Sequence, residues 1–153
     1  MIIYCDGSVT GNPGGVVGYG WHCVETGDES CGVAYQGGDS ATNNASEWMA
    51  AAAALIYVLG QYYDITDTVT IRSDSELLVN QLNGVWRVKH ANLKPIAAIV
   101  NLLIEELESR NMTVVAEWVP RDENKVADAL SRKTVKSLLK ERRQMTQRET
   151  TDG

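Results

Sequence analysis

Met1-Ile2-Ile3-Tyr4-Cys5-Asp6-Gly7-Ser8 opens the chain as a short apolar run that ends on a carboxylate and small turn-forming residues. Such a run reads as a buried β-strand passing into a loop. The segment behind it, Thr10-Gly11-Asn12-Pro13-Gly14-Gly15, is dense in turn residues. Val16 to Glu25 is rich in β-formers, Thr26-Gly27-Asp28 turns the chain, and Ser30 to Gln36 returns. This pattern predicts a β-hairpin.

Working outward, Gly37-Gly38-Asp39-Ser40 breaks the pattern and Thr42-Asn43-Asn44-Ala45-Ser46-Glu47 follows. Asn43 or Asn44 can cap a helix there, with Glu47 close to its first turn. Met49, Ala52, Ala53, Ile56 and Leu59 recur at helical spacing, and Gly60 suits the end. Thr68 to Arg72 is a β-branched strand that again runs to a carboxylate, Asp74. A short helix is expected over residues 75–82, stopped by Asn83-Gly84. Leu93, Ile96, Ala97, Val100, Leu103, Ile104 and Leu107 form the longest amphipathic stripe. Met112 to Val119 reads as a strand ended by Pro120. Asn124 to about Lys140 reads as a last helix, with Val126, Ala127, Leu130 and Leu138 on one side.

The order β-β-β-α-β-α-α-β-α predicts one α/β domain. Its five-stranded mixed sheet has three antiparallel strands, then two parallel ones, with helices on both faces. Residues 1–140 would make this domain and 141–153 a polar, basic, flexible C-terminal tail, without regular structure from Gln144 onward.

The chain has 153 residues, 44% apolar and 22% charged, the size and make-up of one domain with a real core. Its formal net charge of −6 argues against a polyanionic partner, but the charge is uneven. Residues 1–131 hold seven basic and seventeen acidic side chains, whereas 132–153 hold seven basic and three acidic. A basic tail on an acidic body leaves nucleic acid open as a partner. No apolar run reaches the ~20 residues that cross a bilayer, and no membrane association is expected. The N-terminus lacks the basic start of a signal peptide, and a cytoplasmic protein is the natural expectation. Cys5, Cys23 and Cys31 match no metal or redox spacing. Cys23 and Cys31 lie symmetrically about Gly27 and could face each other across the hairpin, but free thiols are expected.

The acids carry the chemistry. Asp6 and Asp74 both follow strands that the predicted topology makes parallel neighbours, so their carboxylates would lie roughly 5 Å apart at one sheet edge. Glu47 and Asp128, each early in a helix, could point at the same edge. Like charges this close repel unless a cation shares the site, and carboxylate oxygens suit Mg²⁺. Four carboxylates make two ions plausible.

Four stretches then fall in an order and spacing that resembles type 1 ribonuclease H. They are Tyr4-Cys5-Asp6-Gly7-Ser8 with Gly11-Asn12-Pro13-Gly14, Thr42-Asn43-Asn44-Ala45-Ser46-Glu47, Ser73-Asp74-Ser75, and Asn124-Lys125-Val126-Ala127-Asp128. The resemblance covers roughly residues 1–135. Residues 79–86, with Asn92-Leu93, look most like the compact archaeal and bacterial branch, which lacks a basic insertion used elsewhere as a substrate handle.

The resemblance implies a ribonuclease H-like fold and an endonuclease that hydrolyses the RNA strand of RNA–DNA hybrids, leaving 5′-phosphate and 3′-hydroxyl ends. Asp6, Glu47, Asp74 and Asp128 would be catalytic and metal-binding: Asp6 bridging two Mg²⁺ ions, Glu47 and Asp74 at the ion beside the leaving group, Asp128 at the ion that activates water. Mn²⁺ is a possible substitute. Asn12 and Asn44 would read the RNA minor groove, and Thr42 and Asn43 would lie near the DNA phosphates. Trp86 matches a tryptophan flanking the DNA channel, though a core role fits as well. Glu76 stands where the family usually has Gln. Arg121 is the candidate cation in a loop where many members carry His. Hybrid would be the partner, and a monomer is expected. The alternatives are a related nuclease acting on double-stranded RNA or branched DNA, and a non-catalytic hybrid-binding module.

Overall fold

The structure, a computed structural model, describes residues 1–11, 14–61 and 68–152. Five strands form one sheet in the order β3-β2-β1-β4-β5: β1 (Ile2–Val9), β2 (Val16–Cys23), β3 (Glu29–Gln36), β4 (Thr68–Ser73) and β5 (Thr113–Trp118). β1 to β3 make the antiparallel meander, and β4 and β5 run parallel to β1. The helices are α1 (Asn43–Leu59), α2 (Glu76–Leu82), α3 (Lys94–Ser109) and α4 (Lys125–Asp152), with a 3₁₀ turn at Arg121–Glu123. The expected fold class and element order hold.

Alternation along β1 explains how both faces are covered. Ile3 and Cys5 are fully buried in the core with Trp48, Leu55 and Val58 of α1. Gly7 extends this face: a Cβ there would sit 2.2 Å from the Ser46 backbone, so α1 touches the strand itself. Asp6 and Ser8 point to the other face, where Ser8 Oγ donates to the Ser131 carbonyl of α4 (2.7 Å). Gly20, opposite Asp6, lets α4 approach there, because a Cβ would meet Ser131 N at 2.5 Å.

Four local expectations are corrected. β1 does not end at Cys5 but continues to Val9, because Gly7, Ser8 and Val9 pair with Tyr19, Gly18 and Val17 of β2. The cap of α1 is Thr42, whose hydroxyl accepts from Ala45 N (3.2 Å), rather than Asn43 or Asn44. That helix is covered by the sheet on one side and α3 on another, so Trp48, Ala51, Leu55 and Val58 are buried while Ile56 is exposed. Finally, α4 does not stop near Lys140 but runs to Asp152, through the segment expected to lack regular structure. No Gly or Pro lies between Asn124 and Gly153 to end it. Its buried positions are Ala127, Leu130, Ser131 and Val135, and Val126 faces solvent.

The three cysteines are free. Cys31 pairs with Gly20, and Cys23 N bonds to the Asp28 carbonyl (2.8 Å), so the two thiols do not face each other across the hairpin. Among the described residues, no helix is long and apolar enough to cross a membrane.

Candidate active site

Tyr4 pairs with Arg72 in the parallel β1–β4 ladder. Continuing that register by two residues brings Asp6 beside Asp74, just past the end of β4. Glu47 reaches the same place from the second turn of α1, because the close contact at Gly7 lays that turn on β1. Its Oε2 accepts from Gly7 N (3.3 Å). Among the described residues, Asp6, Glu47 and Asp74 each offer an oxygen to a group whose members all lie within 4.8 Å of one another.

Three carboxylates this close are electrostatically costly. Asp6 is only 4% exposed. Burial, and then the charges of Glu47 and Asp74, push its pKa up to about 10. Burial likewise pushes Glu47 up to about 8, against the opposing effect of its hydrogen bond with Asp6. Without a cation the cluster therefore holds protons at neutral pH. Hard oxygen donors, clustered and strained by mutual repulsion, fit a divalent ion that would replace those protons.

Asp128 lines the same cleft but lies outside that group of three. Arg132 Nε donates to its Oδ1 (3.1 Å) one helical turn along α4. The start of α4 is pinned to β1: Asn124, fully buried, donates Nδ2 to the Cys5 carbonyl (2.9 Å), and Asp128 N bonds to the Asn124 carbonyl (3.0 Å). This anchor places Asp128 over Asp6.

The cleft has a volume of about 580 Å³, and Asn43, Asn44 and Arg121 also line it. Thr42 does not line it; its hydroxyl is occupied in capping α1. Thr42→Ala should cost about 1 kcal/mol in chemical denaturation, the usual value of such a cap. Glu76 lies exposed in the first turn of α2, outside the cleft lining. Trp86 is 44% exposed, so it is not a core residue. Asn12 falls outside the described residues.

Arg132 and Lys136, which were not among the expected site residues, lie inside the predicted last helix. Both line the cleft, with Val135 and Leu139. The signal was present in the spacing: 128, 132, 135, 136 and 139 share one face of a helix.

The sequence model of the RNase H family matches residues 1–136. LC11-RNase H1, isolated from compost by a metagenomic approach and solved in complex with an RNA/DNA hybrid, superposes with a TM-score of 0.75 at 32% identity. That match covers 90% of this chain and 98% of the other. The ribonuclease HI of Halobacterium salinarum is 34% identical over 131 residues, 84% of this chain and 60% of that protein. The bifunctional protein Rv2228c of Mycobacterium tuberculosis is 35% identical over 134 residues, 86% of this chain. The chain spans only about a third (34%) of the mycobacterial protein's length. A family match over nearly the whole described fold, on a site built from the four motif stretches, leads to one conclusion: the chain belongs to the RNase H family, as a type 1 member.

Proposed function

We propose that the chain is an endoribonuclease that hydrolyses the RNA strand of RNA–DNA hybrids with the help of divalent metal ions. The observation that carries this reading is the convergence of Asp6, Glu47 and Asp74 within 4.8 Å, in an open cleft of an RNase H-family fold. The hybrid bound by LC11-RNase H1 supports the choice of substrate class.

Asp6, buried where the other three carboxylates are partly exposed, would be shared between two ions, with Glu47 and Asp74 serving one and Asp128 the other. When bound, Mg²⁺, or Mn²⁺ in its place, would activate the attacking water and neutralise charge on the departing 3′ oxygen. The products would be 5′-phosphate and 3′-hydroxyl ends. The remaining work belongs to the chain's own side chains. Asn44 and Asn43 line the cleft, where their amides would meet sugar hydroxyls or phosphates. Arg121, Arg132 and Lys136 set cations along it for the backbone. Arg132 also holds Asp128 in place.

The test is a substrate panel: RNA–DNA hybrid, double-stranded RNA and branched DNA, each with Mg²⁺. Cleavage confined to the RNA strand of the hybrid supports the reading. Preference for either of the other duplexes would assign a different nuclease activity, and binding without cleavage would leave a hybrid-binding module.

The raised carboxylate pKa values add a pH signature. A cation entering the cluster must displace the protons held by Asp6 and Glu47. Apparent Mg²⁺ affinity should therefore rise with pH from 6 to 8, by roughly tenfold per unit for each proton displaced. Calorimetric Mg²⁺ titrations in two buffers of different ionisation enthalpy would measure the proton release. Affinity that is flat with pH would contradict it.

A further inference from the structure

The C-terminal half of α4 is a polar helix that runs beyond the body, and its acids gather on one side. At 3.6 residues per turn, Arg132, Lys136, Lys140 and Arg143 fall within about a quarter of the circumference. Leu139, which lines the cleft, borders this stripe. Glu141, Glu149 and Asp152 fall on the opposite side of the helix. The first two members of the basic stripe, Arg132 and Lys136, already line the cleft. Leu139, Arg142, Arg143, Thr146 and Gln147 then line the next hollow along the helix. Arg142 donates to the Gln36 side chain at the end of β3, which ties the helix to the body midway along this stretch.

We propose that this face of α4 is a docking arm for the sugar-phosphate backbone of the same hybrid that lies in the cleft, extending the contact past the reacting bond. Charge complementarity identifies the occupant. The body is strongly acidic, whereas the stripe is a row of exposed cations continuous with the carboxylate site. Arg143 lies fifteen residues beyond Asp128, so the arm reaches ~22 Å along the helix axis, the span of roughly six or seven phosphates on one strand. The far side carries Glu141, Glu149 and Asp152 against Arg148, with Arg142 held by Gln36, so it attracts nucleic acid less than the stripe does. The helix gives this basic segment a direction.

The proposal rests on the hybrid reading of the cleft, and single-charge variants separate the two. Arg143→Gln removes one cation from the stripe; Arg148→Gln removes one from the other side of the same helix. Each keeps a good helix former at an exposed position, and circular dichroism checks the helix. Binding of a fluorescein-labelled hybrid of about 24 base pairs is followed by anisotropy from about 50 to 200 mM salt in an Asp6→Asn background with Mg²⁺. KM and kcat are measured in the parent background.

Arg143→Gln should reduce the slope of log affinity against log salt by about one, and Lys140→Gln/Arg143→Gln by about two. KM should rise ~3–10-fold in the double variant with kcat unchanged, and Arg148→Gln should match the parent. Equal effects of Arg143→Gln and Arg148→Gln, or no effect of the double variant, would overturn the arm while leaving cleavage intact. Absence of hybrid cleavage in the parent protein would instead refute the function proposed above.

Discussion

Asp6→Asn should abolish hybrid cleavage and, at the same time, make the metal-free protein more stable. The loss should be at least 10³-fold in kcat, because the substitution removes the carboxylate placed between Glu47, Asp74 and Asp128 and leaves an amide that binds cations poorly. The gain follows from linkage. A carboxyl whose pKa is about 10 in the fold and ~4 in the unfolded chain binds more protons folded than unfolded. Its contribution to stability is full below pH ~4 and is lost as pH rises towards 10. At pH 7 that loss is at most about 4 kcal/mol, an upper bound because the neighbouring acids titrate with it. An amide of the same shape carries no such loss. The expected gain is about 1–3 kcal/mol, or roughly 3–10 °C in the melting temperature measured in EDTA. Adding Mg²⁺ should narrow the gap, because the ion stabilises the parent by mass action and the variant far less. A variant that is inactive and also less stable in EDTA would mean that Asp6 is held by attractive contacts and not against repulsion.

Gly7→Ala should damage the fold more than any other single methyl added to the site. The new Cβ would lie 2.2 Å from the Ser46 carbonyl carbon and oxygen and 2.6 Å from Glu47 N, all backbone atoms that no rotamer change can move aside. α1 must lift from β1, at a cost of about 3–5 kcal/mol, above the usual ~1–3 kcal/mol of overpacking because the clash is with backbone. Because Gly7 N also donates to Glu47 Oε2, the displacement would carry Glu47 away from Asp6. Thermal unfolding should therefore show a drop of about 10 °C, with cleavage falling even where the protein remains folded. Gly37→Ala is the control. Gly37 has a positive φ of 79° but nothing within 4 Å of the added carbon, so it should cost only the ~1 kcal/mol of a left-handed backbone and leave activity alone.

These two predictions mark what was legible in the sequence and what was not. The hairpin, the two strands that run to Asp6 and Asp74, and the amphipathic α3 follow from local patterns: β-branched runs, turn residues, and apolar spacing at three and four. Those patterns alone bring Asp6 and Asp74 together, since parallel neighbours share an edge. The position of Glu47 did not follow from them. It depends on how closely α1 lies on β1, and that is decided by a glycine in one element meeting a serine backbone in another, a contact with no signature within either segment. The extent of α4 was misjudged because low hydrophobicity was read as lack of order. Polar helix formers without Gly or Pro continue a helix already nucleated by Ala127, Leu130 and Val135 on the sheet. Arg132 and Lys136 lay within the expected helix, but their cleft-facing role depends on how α4 packs: Asn124 pins its start to β1 and turns that face toward Asp6. Thr42 sits where the resemblance sets a contact near the DNA phosphates, and its hydroxyl accepts from Ala45 N to cap α1.

The central claim is that Asp6, Glu47, Asp74 and Asp128 form a metal-dependent site for cutting RNA paired to DNA. The most direct measurement is the mapping of cleavage ends on a defined RNA–DNA hybrid, labelled on each strand in turn, with Mg²⁺ and with EDTA. Internal cuts in the RNA strand only, bearing 5′-phosphate and 3′-hydroxyl ends, are expected with Mg²⁺, and none in EDTA. Cuts in the DNA strand, 2′,3′-cyclic phosphate ends, or undiminished cleavage in EDTA would contradict it.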